Sequence, residues 1–147
     1  VRIELTTGAT IPFGASCDAN GRVDAIQIFR FLLSGTLPTE LGLLTDMQFL
    51  VLPQNFIGST IPDELGNWSI LKNFIMQDNL IKGTLPDSFR SFGELTNFDC
   101  HRCDLEGPIP DWISQWSSLT RFTLTENKLT GAIPDSFSVL TNLEFIA

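Results

Sequence analysis

Apolar residues recur along this chain in a pattern that repeats every 24 residues. When the unit is numbered from Val23 as position 1, large apolar residues occupy positions 1, 4, 6, 11, 15, 19 and 22 of the unit. Positions 4 and 6 alternate with mostly polar neighbours, which predicts a short strand with one buried face. A constant period of this length predicts a solenoid, in which each unit is buried by the units beside it.

The same register predicts the rest of each unit. Stacked units place equivalent strands side by side and parallel, about 4.8 Å apart, so Phe74, Phe98 and Phe122 at position 4 are expected to stack inside. Glycine recurs at position 13 and predicts a bend. Proline recurs at position 16, lacks an N–H for a strand ladder, and predicts an outer segment or turn. Positions 17 to 23 predict one short helical turn.

Asparagine occupies position 9 in three of the units, as Asn55, Asn79 and Asn127. We expect this amide to be buried, where it can donate to and accept from the backbone of adjacent units. Cys103 takes the same position in another unit and can do this only weakly. Phe31 cannot do it at all.

The length and composition of the chain exclude several kinds of partner and of structure. A chain of 147 residues has room for one domain. Its net charge of -8 argues against nucleic acid or an anionic membrane as a partner, because each would require a basic face. No run approaches the ~18 uninterrupted apolar residues of a membrane helix, so we expect no membrane contact by this segment. Three cysteines cannot all pair with one another.

The full unit reads LxxLxLxxNxLxGxIPxxLxxL, as in LTRFTLTENKLTGAIPDSFSVL from Leu119. It resembles the plant-type subclass of extracellular leucine-rich repeats from Val23 to Ile146. The resemblance implies an α/β fold: a right-handed horseshoe solenoid with a parallel sheet on its concave face, here with five full repeats and a partial sixth. Members include receptor-kinase ectodomains, receptor-like proteins and polygalacturonase-inhibiting proteins, which bind partners by that face.

The segment FGASCDANGRVDAI, from Phe13 to Ile26, resembles the end of the N-terminal cap in the same family. The division expected is therefore a partial cap over residues 1–22 and the solenoid over 23–147. Phe13 stands where the cap usually has Trp, and a disulfide partner for Cys17 would precede Val1. The chain ends within a repeat, so we expect it to be part of a longer protein.

Positions 3, 5, 7 and 8 are expected to face solvent on the concave side, where packing does not select the residue type. In the first three repeats they include Phe29, Phe49, Val51, Pro53 and Ile75, and from Asn73 onwards most of them are polar. Exposed aromatic and branched residues beside charged ones suit recognition of a peptide or protein. The alternative is that the cap or another repeat covers the apolar part. The predicted ligand-binding residues are Phe29, Phe49, Val51, Ile75, Gln77, Asp99, His101, Arg102, Arg121 and Thr123.

Two other groupings suggest chemistry. Cys100 and Cys103 flank a His-Arg pair, but a zinc site needs four ligands and both cysteines fall on inward positions, so we predict that they are buried and inert. His101 with Asp99 and Thr123 is a possible nucleophile–base–acid grouping, but the sequence shows no sign of a pocket or an oxyanion-hole loop. We therefore predict no catalytic residues, no metal and no cofactor.

Asn67-Trp68-Ser69 is an N-glycosylation sequon, expected on the exposed outer side. With the cap-like motif it favours a secreted or cell-surface protein. The leading hypothesis is a non-enzymatic module, within a receptor-like or secreted protein, that binds a peptide or protein on its concave face. The alternatives are an inhibitor of a secreted polysaccharide-degrading enzyme and a structural spacer within a longer receptor array.

Overall fold

The computed structural model describes residues 14–147, so Phe13 and most of the predicted cap lie outside the described residues. One sheet has seven strands. They are β1 (Gly14–Cys17), β2 (Val23–Gln27), β4 (Phe49–Val51), β6 (Asn73–Ile75), β8 (Asn97–Asp99), β10 (Arg121–Thr123) and β12 (Phe145–Ile146). Two smaller sheets, one of two strands and one of three, contain the remaining strands: β3 (Ser34–Gly35) with β5 (Phe56–Ile57), and β7 (Lys82–Gly83), β9 (Asp104–Pro108) and β11 (Lys128–Thr130).

Equivalent residues of successive repeats are lateral neighbours in the seven-stranded sheet. Phe74 lies opposite Leu50 on one side and Phe98 on the other, a spacing of 24 in each case. The strands β2 to β12 are parallel, and β1 pairs antiparallel with β2 at the edge. The predicted parallel solenoid sheet is therefore confirmed.

The position-4 phenylalanines stack in the interior as predicted. The ring centroids of Phe74 and Phe98 are 5.2 Å apart, and those of Phe98 and Phe122 are 5.8 Å apart. All three side chains are at most 1% exposed. Burying one such ring contributes about 1.5–3 kcal/mol. The position-22 tryptophans close the opposite wall, where Trp116 Nε1 donates to the Phe89 carbonyl at 2.8 Å.

A five-residue 3-10 helix follows the proline of each repeat, where the helical turn was predicted. The helices are η1 (Thr39–Leu43), η2 (Asp63–Asn67), η3 (Asp87–Ser91), η4 (Asp111–Gln115) and η5 (Asp135–Val139). Glycine at position 13 is required by backbone conformation: Gly107 has φ +79°, and a Cβ there would approach Thr84 Cγ2 to 2.9 Å. Sequence reasoning missed a second left-handed position, because position 8 has positive φ without glycine, as in Asp78 at 55°.

The asparagines at position 9 join neighbouring repeats; Asn55 and Asn79 are buried and Asn127 is half-buried. Asn79 Nδ2 donates to the carbonyls of Leu52 and Met76 at 2.8 and 2.9 Å, and its Oδ1 accepts the Ile57 N–H at 3.1 Å. Asn55 and Asn127 make the equivalent bonds. The predicted role of position 9 is confirmed: it satisfies backbone groups that the strand ladders leave unpaired.

Cys103 makes a weaker substitute in this column. Its thiol contacts the Met76 carbonyl at 3.5 Å and has no second donor for the Cys100 carbonyl. Cys100 and Cys103 are both buried, as predicted, and neither forms a disulfide. Burial raises the pKa of Cys103 to about 11 and holds the pKa of Cys100 well above its usual range, so both thiols stay protonated at neutral pH.

Replacing Asn79 by alanine tests the asparagine column. We expect Asn79→Ala to lower the free energy of unfolding by about 1–3 kcal/mol, because the Ile57 N–H would be left buried without a partner and the Leu52 and Met76 carbonyls would each lose one of two donors. Urea titration followed by circular dichroism gives the value. Asn142→Ala is the matched control, since Asn142 is exposed and makes one bond to Ser117, and it should cost under about 0.5 kcal/mol. Equal losses in the two variants would contradict the assigned role.

Replacing Cys103 by asparagine should have the opposite effect. Cys103→Asn restores the missing amide and is expected to raise the free energy of unfolding at pH 7 by about 1 kcal/mol, whereas Cys103→Ala should not. The protonated Cys103 thiol contributes to the free energy of unfolding at pH values below about 9. This contribution is lost as the pH rises through the folded-state pKa of about 11. Urea titrations at neutral and alkaline pH should therefore show a smaller alkaline loss in the asparagine variant. The interpretation fails if asparagine and alanine give the same stability.

Candidate ligand-binding face

The solvent side of the seven-stranded sheet is called here the concave face, and it carries positions 3, 5, 7 and 8 of each repeat. The inward neighbours at positions 4 and 6 are fixed by the core, so the outward residues lie in rows at strand spacing. The backbone continues the rows beyond the strands: Arg30 N–H donates to the Pro53 carbonyl and Asp78 N–H to the His101 carbonyl. Side chains from different repeats therefore act on one surface.

The apolar part of this face covers the first three repeats. Phe29 is 38% exposed, and Phe49 and Ile75 are half-buried, so these three side chains present the apolar surface. Val51 differs from the expectation because it is only 8% exposed. It lies in register between Gln27 and Ile75, and lateral neighbours at strand spacing cover a short side chain. Val51 is therefore part of the floor beneath the patch.

Ion pairs organise the polar part of the face. His101 Nδ1 lies 2.8 Å from Asp99 Oδ1, and His101 Nε2 lies 3.9 Å from Asp78. Arg102 pairs with Glu126 at 3.0 Å and with Asp78 at 3.7 Å. The hydrogen bond and charge of Glu126 raise the pKa of Arg102 above its usual range. The structure therefore brings Asp99, His101 and Arg102 together in one charged cluster.

Position 8 forms a ladder that joins the two parts of the face. The guanidinium of Arg30 donates to Gln54, Gln54 Nε2 donates to Asp78 at 3.5 Å, and Asp78 faces Arg102. The left-handed backbone at this position directs successive side chains along one line. The spacing of 24 was visible in the sequence, but the left-handed turn that aligns these side chains was not.

Two other predicted residues are less exposed than expected. Thr123 is 8% exposed and lies in register beside Asp99. Gln77 is half-buried, and its Oε1 is buried without a hydrogen-bond partner among the described residues.

Asp99 Oδ1 accepts both the ring and the backbone N–H of His101. The carboxylate thereby orients the imidazole along the sheet.

Arg121 stands apart from the charged cluster. It is exposed on β10, and its guanidinium carbon lies 5.4 Å from the centre of the Phe145 ring. It borders an open, polar recess of about 500 Å³ with Asn97, Thr120 and Glu144.

Within residues 14–147, no cluster of three or more His, Cys, Asp or Glu side chains is arranged to hold a metal ion.

A second exposed apolar surface was not expected from the sequence. Leu32, Phe56 and Leu80, all at position 10, are 72%, 53% and 50% exposed. They form a row, called here the edge row, where the chain leaves the concave face. Backbone bonds hold the row together, since Phe56 N–H donates to the Leu33 carbonyl and Leu80 N–H to the Ile57 carbonyl. In the next two repeats the position is an ion pair of Asp104 with Lys128 at 2.7 Å.

Asn67 lies at the last residue of η2, on the side away from the concave face, and is exposed as expected. Its Nδ2 donates to the Gly42 carbonyl at 3.3 Å. Ser69 of the same sequon is also exposed.

In the part of the chain that the structure covers, no helix has the length and apolar character needed to cross a bilayer.

Comparisons with known proteins agree with this architecture. The sequence model of the family described as Leucine Rich Repeat matches residues 94–116 and 118–140. The plant peptide hormone receptor RGFR1, solved in complex with RGF2, is 32% identical with a TM-score of 0.81. The Arabidopsis receptor kinase HAESA, solved with the peptide hormone IDA and the co-receptor SERK1, is 30% identical with a TM-score of 0.80. No curated protein matches the chain.

The alignments cover most of this chain but differ in how much of each neighbour they include. They include 83% of this chain with 20% of RGFR1 and 21% of HAESA. The ectodomain of the receptor kinase SOBIR1 from Arabidopsis thaliana is 22% identical to this chain, with a TM-score of 0.84. The alignment covers 90% of this chain and 77% of the SOBIR1 ectodomain, and at this identity the likeness supports the fold alone. With its LxGxIP-type repeat and stacked parallel strands, the chain has the leucine-rich repeat fold and is similar to plant receptor-kinase ectodomains.

Proposed function

We propose that this chain is a non-enzymatic recognition module that binds a peptide or protein ligand on its concave face. The observation that carries the proposal is that Phe29, Phe49 and Ile75 present apolar surface on the same face as the Asp99–His101–Arg102 cluster. Its side chains face away from the core and come from several repeats, which is the arrangement by which solenoids build extended binding surfaces. Apolar anchors next to Arg are typical of interaction hot spots.

The similar structures support the same class of function. RGFR1 and HAESA are solved in complexes with peptide hormones. The order of the charged cluster also favours binding, because the ion pairs hold the polar side chains in place and less conformational entropy is lost when a ligand covers them. We place the module outside the cell, on the likeness to receptor ectodomains and on the exposed sequon at Asn67.

Removing the apolar anchors tests the binding site. Peptides about 12 residues long are selected from a random library on the complete chain, and their Kd is measured by calorimetry. The triple variant Phe29→Ala, Phe49→Ala and Ile75→Ala should weaken binding by at least ~2 kcal/mol, because truncation removes the apolar side chains that the bound peptide would cover.

The edge row provides a matched control of two leucines and one phenylalanine. Leu32→Ala, Phe56→Ala and Leu80→Ala together should change the Kd of the same peptides by less than about twofold, which is within the range of neutral contacts. Unchanged affinity in the concave-face variant would reject the proposed site and favour the spacer alternative.

The extracellular assignment predicts a glycan at Asn67. Secretory expression in a eukaryotic host should yield a chain whose electrophoretic mobility increases after treatment with an N-glycosidase. Asn67→Gln and Ser69→Ala should both abolish this shift, whereas Asn142→Gln, at an exposed asparagine outside any sequon, should retain it. A wild-type chain that leaves the secretory pathway without a shift would contradict the assignment.

A further inference from the structure

Cys100 and Cys103 are two cysteines of the fourth repeat, and both belong to the core. Cys100 is 0% exposed and Cys103 is 7% exposed. They occupy positions 6 and 9, which Leu52 and Asn55 occupy in the second repeat. No other repeat has cysteine at either position. The pair is therefore a feature of this chain that the repeat pattern does not require.

The fold brings the side chain at position 9 back onto position 6 of the same repeat. Asn79 Nδ2 donates to the Met76 carbonyl in its own repeat at 2.9 Å and to the Leu52 carbonyl in the preceding repeat at 2.8 Å. The Cys103 thiol contacts the carbonyl of the preceding repeat in the same way, since it lies 3.5 Å from the Met76 oxygen. The Cys103 sulfur therefore takes the place of that amide nitrogen, beside the backbone of Cys100.

The backbone between the two cysteines is a turn. The strand β8 ends at Asp99 and β9 begins at Asp104, so residues 100–103 form the connection. Arg102 within it has a left-handed φ of 51°. A disulfide joins residues whose Cα atoms lie about 4.4–6.8 Å apart, and residues three apart reach this range only where the chain turns. Burial is the main cause of the raised pKa of Cys100 and the charge of Cys103 is the second, which agrees with a short separation.

Cys17 lies too far away to join this pair. It belongs to β1, and β8 is four strands along the sheet from β1. At about 4.8 Å per strand the separation is about 19 Å, which exceeds the reach of a disulfide. Cys100 and Cys103 are thus each other's available partners within the folded chain.

We propose that Cys100 and Cys103 form a disulfide when the chain folds in an oxidising environment, and that burial then fixes the redox state of the pair. The structure shows the reduced form. Before folding, one thiolate attacks a small disulfide such as oxidised glutathione and releases one glutathione thiol. The second cysteine attacks the mixed disulfide and releases the other, so two electrons and two protons pass to oxidised glutathione. The extracellular placement proposed above supplies such an environment.

Burial separates the two forms once the chain has folded. Thiol–disulfide exchange needs a thiolate and direct access to the sulfur, and both are withheld in the core. The folded reduced chain should therefore resist oxidation, and the folded oxidised chain should resist reduction. The disulfide also closes a ring that contains His101 and Arg102, so it restrains the turn that carries two members of the charged cluster.

The test uses the chain with Cys17→Ala, which leaves the pair as its two cysteines. One sample is refolded from urea with oxidised and reduced glutathione, and a matched sample is refolded with dithiothreitol. Both are then unfolded, alkylated and digested with trypsin, which cuts after Arg102. In the oxidised sample the fragments that contain Cys100 and Cys103 should stay joined by the disulfide, without alkyl label. In the reduced sample they should separate, each with one label.

Cys103→Ser in the same background is the matched control, and its fragments should separate after either refolding. The fixing of the redox state is measured on folded samples. Dithiothreitol should reduce the folded oxidised chain at least about tenfold more slowly without urea than with it, because the sulfur atoms become accessible only on unfolding. Circular dichroism of each refolded sample reports whether the native sheet has formed.

Joined fragments, a native spectrum and reduction that depends on urea support the inference. Separate, labelled fragments after oxidative refolding overturn it, as does a glutathione adduct on either cysteine. A joined pair in a chain without the native spectrum also overturns it, because the bond then does not fit the fold. Equal rates of reduction with and without urea overturn the role of burial. None of these measurements uses a ligand, so the proposed function can fail without affecting them.

Discussion

Each repeat of this chain can bury its apolar side chains and pair its backbone only against another repeat. The strands are three residues long or shorter in most repeats, so ladders alone leave carbonyls and N–H groups unpaired where the chain turns. The Asn55, Asn79 and Asn127 amides occupy these places and bind the backbone on both sides. Because a buried unpaired group costs about 1–3 kcal/mol, these amides hold the repeats in register.

The register determines the concave face. Since positions 4 and 6 are committed to the core, the residues between them face outward at fixed spacing and are free to differ between repeats. The phenylalanine stack keeps this spacing over three repeats, from Phe74 to Phe122. The apolar anchors and the charged cluster thereby become neighbours although they come from different repeats. Binding by such a surface requires several repeats together.

The charged side chains of the concave face differ in whether an opposite charge lies beside them. Arg102 has carboxylate neighbours in Glu126 and Asp78, so its charge is largely balanced within the chain, and His101 contacts the Asp99 carboxylate. Arg121 has an aromatic neighbour, which orients the guanidinium and leaves its charge available. The apolar anchors are therefore proposed to contribute most of the binding free energy, with the charged cluster beside them as an ordered support.

The sequence by itself determined the solenoid, the inward columns, the role of the asparagines and the burial of Cys100 and Cys103, because all of these follow from periodicity and from the chemistry of a buried residue. It also identified the rows that face outward. The tertiary structure decided how much of each side chain remains exposed: Val51 and Thr123 are covered, whereas Leu32, Phe56 and Leu80 are not. It also decided which charges are paired. Exposure and pairing depend on distances between side chains of neighbouring repeats, and a repeat pattern specifies only which residues are adjacent.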